Sequence, residues 1–378
     1  MLAALFLAAA ALADLPAAAI HTVPVDGHPF GLVVTADSRH LLATIEGKSS
    51  GIAAFGIAPD GLRKEGFVAL DGTPTDFALA PEGDIAVVTT FKHIYFVDTQ
   101  KLIAGGDDAV LGRVDTSGSS VNAAVSPDGK IALVSEEGDR TVSVLDIAAA
   151  RAGHFKHAPV LGHVAVGTGP IGIAFDSGAQ YAYVTVQRAA PGLNWPETCA
   201  AESPGGTAGA QGAILTLNLK ALETRPNGPT ILGIAPAGCV PVRLALSADG
   251  DRVFVTARGD GKVMAFDRLK LASDPKHARI AEAVVGSAPV GIAASSRAVF
   301  ATLSARFSDA AAPSSVIALN PSDLTPIATI PAGNFPRELA LTADGRWLFI
   351  GNFNSGTLEQ VDLTTLPQDS GAAVIDKR

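Results

Sequence analysis

Seven positions recur at matched places along the chain, each two residues after a repeated proline or serine: Gly31, Asp76, Asn122, Gly172, Arg243, Gly291 and Glu338. Their side chains could do three kinds of chemistry. Asp76, Asn122 and Glu338 carry hard oxygens suited to Ca²⁺ or Mg²⁺. Arg243, with Arg337 beside the last position and Arg258 at the end of a following strand, can grip a carboxylate or polarise a carbonyl. A carboxylate whose pKa is tuned by burial can take a proton from water, giving Glu338 or Asp76 as a general base with Arg243 and Arg337 stabilising an oxyanion. A plainer reading is that these groups hydrogen-bond one another and water.

The elements that must bring them together are repeats. PFGLVVTADSRHLLAT from Pro29, PTDFALAPEGDIAVVT from Pro74, SVNAAVSPDGKIALVS from Ser120 and PIGIAFDSGAQYAYVT from Pro170 align, as do the segments from Pro241, Pro289 and Pro336. Successive starts are 45, 46, 50, 71, 48 and 47 residues apart, a spacing that suits four-stranded propeller blades. Each unit reads as strand, Asp-Gly turn, strand, short loop, strand, variable loop, strand, with Pro127, Asp128 and Gly129 making one hairpin turn. The third strand ends in Asp or Asn, as in IYFVDT (Ile94 to Thr99) and VSVLDI (Val142 to Ile147), and that residue is expected to open a turn by bonding amides two residues on. The fold class is therefore all-β, a seven-bladed β-propeller of four-stranded antiparallel blades.

Sheets of this kind need protected edges. Ile20 to Pro29, IHTVPVDGHP, matches Ile327 to Pro336, IATIPAGNFP, so the N-terminal segment is expected to supply the outer strand of the last blade and close the ring. Residues one step beyond the polar column are mostly apolar (Leu32, Phe77, Ala123, Ile173, Leu244, Ile292, Leu339), so alternation turns the column away from the core between blades and toward the axial channel. Glycine at three of the seven positions is expected to widen that funnel. Glu46, Glu137 and Gln187 end second strands and belong to one mouth or the other.

YAYVTV at Tyr181 to Val186, VFVTAR at Val253 to Arg258 and the recurrent P-x-x-x-A-x-x-x-D-G lead-in resemble the YVTN family of seven-bladed propellers across nearly the whole chain after its first residues. That likeness implies the fold. It grades into lactonase-like propellers, which include hydrolases as well as proteins that resemble binding modules. FPRE at Phe335 to Glu338 looks like the P-R-H element of the lactonase-like group, with Glu338 where that pattern has His.

One interval departs from the repeat. Gln187 to Gly212 follows a second strand and adds about 25 residues, including Trp195 and Cys199. Long loops on rigid scaffolds often carry function, so Trp195 is a candidate ligand or partner contact, with burial against its own blade as the alternative. Cys199 and Cys239 are the only cysteines and are expected to pair, closing a loop that stabilises the fold by about 4 kcal/mol in the chain-entropy account.

With 378 residues, 48% apolar and 17% charged, the chain can bury one large core of repeats. Its net charge of −9 and scattered basic residues argue against nucleic acid as a partner. Residues 1–19, with an apolar run from Leu2 to Ala13, read as a secretory signal although the first Lys or Arg is Arg39, leaving residues 20–378 as a propeller without a membrane span, periplasmic or extracellular, and a monomer. Gly167-x-Gly169-x-x-Gly172 spells a dinucleotide fingerprint but holds Pro170 and precedes a strand, so it reads as a turn between blades. His154, His157 and His163 lie in a Gly- and Pro-bounded segment and read as a solvated loop. The expected function is binding of a protein partner or small ligand through the funnel and long loop; the alternative is a lactonase-like hydrolase, with or without a divalent metal.

Overall fold

The computed structural model describes residues 13–14, 19–116, 118–157, 159–193, 195, 198–200, 209–305 and 314–367. Seven four-stranded antiparallel sheets follow one another round an axis. Blade 1 runs His28–Val34, His40–Glu46, Gly51–Ala58 and Gly61–Ala69 from the axis outward. The next five blades begin at the axis with Pro74–Leu79, Ser120–Val125, Thr168–Phe175, Pro241–Leu246 and Pro289–Ala294. Blade 7 starts at Pro336–Leu341, and its outermost strand is Ile20–Pro24, antiparallel to Thr357–Asp362 with Ile20 opposite Val361 and Pro24 opposite Thr357. The first and last parts of the chain thus share one sheet, which closes the ring as the repeat predicts. The expected signal at residues 1–19 lies outside the described residues except for Ala13, Asp14 and Ala19. Ala13–Asp14 pair in parallel with Ala328–Thr329 on the outer edge of blade 6.

Neighbouring blades are held by two devices. The first is apolar: Phe55, Phe96, Phe254, Phe266, Phe300 and Phe349 are fully buried between sheets. The second explains the Thr or Ser that ends the second strand of nearly every repeat. Its hydroxyl accepts from the backbone N–H of the polar-column residue in its own blade, as Thr44 does from Gly31, Ser135 from Asn122, Thr185 from Gly172 and Thr256 from Arg243. The same hydroxyls donate to a carbonyl of the next blade's innermost strand: Thr44 to Thr75, Ser135 to Ile171, Thr185 to Val242 and Thr256 to Val290, at 2.7–3.1 Å. One side chain therefore ties two blades at the axis. Thr185→Val keeps the shape and leaves a buried N–H and C=O short of partners, so urea unfolding is expected to show a loss of about 2 kcal/mol. A loss below about 0.5 kcal/mol would contradict the stitch. Blade 7 has Gly351 in that place, against Leu32 of blade 1.

The residues closing the third strands behave in two ways. Asn320 and Asp362 accept from the amides of Ser322 and Thr364, two residues on, as expected. Asp98, Asp146, Asn218 and Asp267 instead cap short helices, accepting from the amide three residues on. An acceptor at the end of a strand serves either motif, and the buried leucine four places on is common to both, as Leu102 and Leu222 after the helix caps and Leu324 and Leu366 after the turns.

Candidate functional site

Every innermost strand carries an irregularity between its lead-in residue and the polar column, for example between Pro241 and Leu244 and between Ser120 and Asn122. All seven blades show it. A bulge breaks strict alternation and re-aims side chains. Here it lets two successive residues reach the axis in six of the seven innermost strands, while Thr75 of blade 2 bonds Thr89 and the Ser120 carbonyl instead. Val121, Ile171, Val242 and Val290, one residue before the column, meet in a buried apolar cluster. Alternation alone hides this ring.

The column itself converges as the repeat predicts. Asp76 Oδ2 accepts from Asn122 Nδ2 at 2.5 Å and lies 2.9 Å from Arg243 Nη2. Arg243 Nε is 2.9 Å from Glu338 Oε2, an ion contact without hydrogen-bond alignment. Asp76 Oδ1 accepts from the Phe77 amide, Asn122 Oδ1 from the Ile173 amide, and Glu338 Oε1 from the Leu339 amide. All four side chains are buried. Burial pushes the Glu338 carboxyl above the usual carboxylate range, while Arg243 draws it back. Burial also opposes the Arg243 charge, and Glu338 and Asp76 outweigh it. Arg243 Nη1 nevertheless has no hydrogen-bond partner among the described residues.

The three glycines serve a different purpose from widening. A Cβ on Gly31 would lie 2.5 Å from Asp76 Oδ1, and one on Gly172 would lie 2.7 Å from the Val242 carbonyl. Gly291 stands likewise against the backbone of Arg337 and Glu338. Glycine precedes each of Asp76, Arg243 and Glu338 around the ring because the neighbouring inner strand needs that space.

The cluster forms a waist with a cavity on either side. One, of about 280 Å³, is lined by Asp76, Asn122, Arg243 and Glu338 with Leu32, Phe77, Ile173, Leu244 and Ile292. The other, of about 360 Å³, is lined by Arg243, Arg258 and Arg337, by Glu137 and Gln187, by the four apolar ring residues, and by Phe30, Phe91, Phe335 and Phe353. The second mouth is built from two rings. One is the residue before the column; the other stands two residues after the stitching hydroxyl, giving Phe91, Glu137, Gln187, Arg258 and, in blade 7, Phe353. That second ring includes the strand ends Glu137 and Gln187, which share a mouth and bond each other at 3.1 Å, whereas Glu46 at the matching place in blade 1 does not line this cavity. Phe91 and Phe353 share that register position, but they carry no polar atom to mark them in the sequence as ligand contacts.

Arg337 and Glu338, adjacent in sequence, serve opposite sides. The Arg337 guanidinium sits 3.6 Å from the centroid of the Phe30 ring, with Phe335 and Phe353 about it, a cation held on aromatic faces. Trp195 is away from both cavities, half-buried against the core of blades 3 and 4. Cys199 and Cys239 are joined, with Cα atoms 5.5 Å apart. His163 bonds the Ser143 hydroxyl through Nδ1, and among the described residues no group of three or more His, Cys, Asp or Glu side chains is placed to hold a metal ion. Gly167, Gly169 and Gly172 lie in a connection between blades and the strand it feeds, as the sequence suggests. No described helix is long and apolar enough to cross a membrane.

No protein-family model matches the chain, and no curated protein matches it. The seven-bladed ring is established by its strand pairing.

Proposed function

We propose that this propeller binds a small, largely apolar organic carboxylate in the mouth between Arg243 and the phenylalanines, in an oxidising compartment outside the cytoplasm. The carrying observation is Arg243: a buried guanidinium whose Nη1 has no hydrogen-bond partner among the described residues, set beside an apolar ring that offers it none. A carboxylate oxygen supplies the missing acceptor, and charge-assisted bonds of this type are about twice as strong as neutral ones. Val121, Ile171, Val242, Val290 and the phenylalanine rings shed water against the ligand's apolar body, and Arg258 and Arg337 add positive charge around its head. A cavity of about 360 Å³ suits a small molecule. The disulfide supports the compartment. Gln187 lines the same mouth, so a protein partner using the long loop would approach from this end.

Calorimetric titration with 4-phenylbutyrate and its neutral amide tests the reading. The carboxylate is expected to bind at least tenfold more tightly than the amide, and Arg258→Ala and Arg337→Ala are each expected to weaken it several-fold. Equal affinity for both probes, or binding by neither, would sink it.

A second reading draws on the raised pKa of Glu338 beside a cavity. In lactone hydrolysis, water adds to the ring carbonyl as Glu338 or Asp76 takes its proton, Arg243 holds the oxyanion with Arg337 in support, and the ring C–O bond breaks as the alkoxide recovers a proton. Asp76, Asn122 and Glu338 would be the oxygens for Ca²⁺ or Mg²⁺ in this scheme. The reading requires Glu338 to leave Arg243, and the Arg337 side chain faces the other cavity. Lactone opening lost in Glu338→Gln, and lost with chelator if a metal takes part, would favour it over simple binding.

A further inference from the structure

We propose that the Cys199–Cys239 disulfide is a positioning device for Arg258, so that its reduction loosens the ligand mouth. The argument starts from the backbone. Arg258–Asp260 form a single helical turn directly after the strand Arg252–Ala257. That turn is clamped to the segment carrying Cys239 by three bonds: the Arg258 amide to the Val240 carbonyl at 3.0 Å, the Gly259 amide to the Cys239 carbonyl at 2.9 Å, and the Cys239 amide to Asp260 Oδ2 at 2.7 Å. The packing leaves no slack, since a Cβ on Gly259 would lie 2.9 Å from the Cys239 Cβ.

The clamped segment is under strain. Val240 is β-branched and sits at φ 52°, a left-handed conformation that such residues avoid. Strain of this kind persists only where surrounding structure over-determines it. Here the restraints are the three bonds, Pro241 at the head of the innermost strand, and the covalent tie to Cys199, which is itself buried and paired opposite Gly209. Breaking the tie removes the one covalent cross-link among these restraints. The left-handed residue before the innermost strand recurs at Ala288 (φ 51°) and Phe335 (φ 54°), where no disulfide stands, so the tie acts on Cys239 rather than on Val240: once it is broken, the Cys239 segment can draw away from Gly259 and Asp260, and the guanidinium loses its fixed place at the mouth. Asp260 is a positioning residue by the same logic.

The ligand part of this inference rests on the proposed carboxylate site; the tether does not, and the experiment separates them. Amide hydrogen exchange across residues 258–261 would be compared in the oxidised protein, in the protein treated with a reductant while folded, and in the Cys199→Ser/Cys239→Ser double variant. Exchange is expected to rise at least tenfold in the last two, and several-fold in Asp260→Ala with its disulfide intact. Unchanged exchange in both overturns the tether. In parallel, affinity for 4-phenylbutyrate should fall in the double variant to within about twofold of Arg258→Ala, and removing the disulfide from Arg258→Ala should weaken it no further. Faster exchange with undiminished affinity overturns the coupling. If the oxidised protein fails to bind the probe at all, the carboxylate reading fails, while the exchange result still decides the tether.

Discussion

Arg243→Met is expected to destabilise the fold by about 3–5 kcal/mol at pH 7.5, the range for breaking a buried ion pair by removing one partner. The reason lies in what remains. Asp76 Oδ2 and Glu338 Oε2 each stand 2.9 Å from the guanidinium, and without it two buried carboxyls face one another with only backbone amides and Asn122 for company. The loss should shrink at pH 5, where protonation relieves the repulsion, and Asp76→Asn with Glu338→Gln in the methionine background should restore much of it. Replacing a whole buried ion cluster by neutral groups is often harmless, whereas halving it is not. Urea unfolding at the two pH values measures both effects. A loss under about 1 kcal/mol at pH 7.5 would mean that the waist is not the electrostatic keystone of the ring. The same variant should abolish binding of 4-phenylbutyrate, because it removes the buried donor.

The second large effect concerns Glu136, a carboxyl 3% exposed that ends a strand of blade 3. Its oxygens accept from Ser120 at 2.8 Å and Ser143 at 3.2 Å. Burial nonetheless pushes its pKa up to about 7, and Asp139 adds repulsion. A carboxyl raised in this way binds its proton more tightly in the folded protein than in the unfolded chain. Its contribution to stability is complete below the unfolded value of about 4.5 and is lost as pH rises through about 7. A Glu136→Gln variant should therefore lack that decline and, relative to wild type, gain on the order of 3 kcal/mol between pH 4.5 and pH 8. Glu338 and Glu359 are also raised by burial and give both proteins a residual slope of the same sign, so the difference between the two unfolding curves is what isolates Glu136. Parallel curves would show that Glu136 stays ionised in the folded state.

Much of the architecture can be read from residue order because a blade is a local object. Asp-Gly hairpins, alternating strands and a closing Asp or Asn each act within some fifty residues, and the same signals recur seven times. Even ring closure is legible, since Ile20 to Pro24 repeats the outer strand of the preceding unit and so announces the sheet that lacks one. The polar column could be found for the same reason: its members occupy one register position. What a proline-to-column count of two could not reveal is the bulge between them. By relaxing alternation it brings Val121, Ile171, Val242, Val290, Phe30 and Arg337 to the axis beside the column. It also puts Arg337 and Glu338 on opposite sides of the waist, although they are neighbours in the chain.

The chain by itself determined the number of blades, the strand that locks them, the disulfide partners and the four polar residues that meet at the axis, because periodicity converts sequence position into angular position. Only the folded ring decided what those residues do to one another. Asp76, Arg243 and Glu338 come from blades 2, 5 and 7, and whether they hold a metal, a ligand or each other depends on a few ångströms across the axis. That distance is set by glycines in the adjoining strands and by hydroxyls stitching blade to blade. Such distances are properties of closure, and no single repeat contains them.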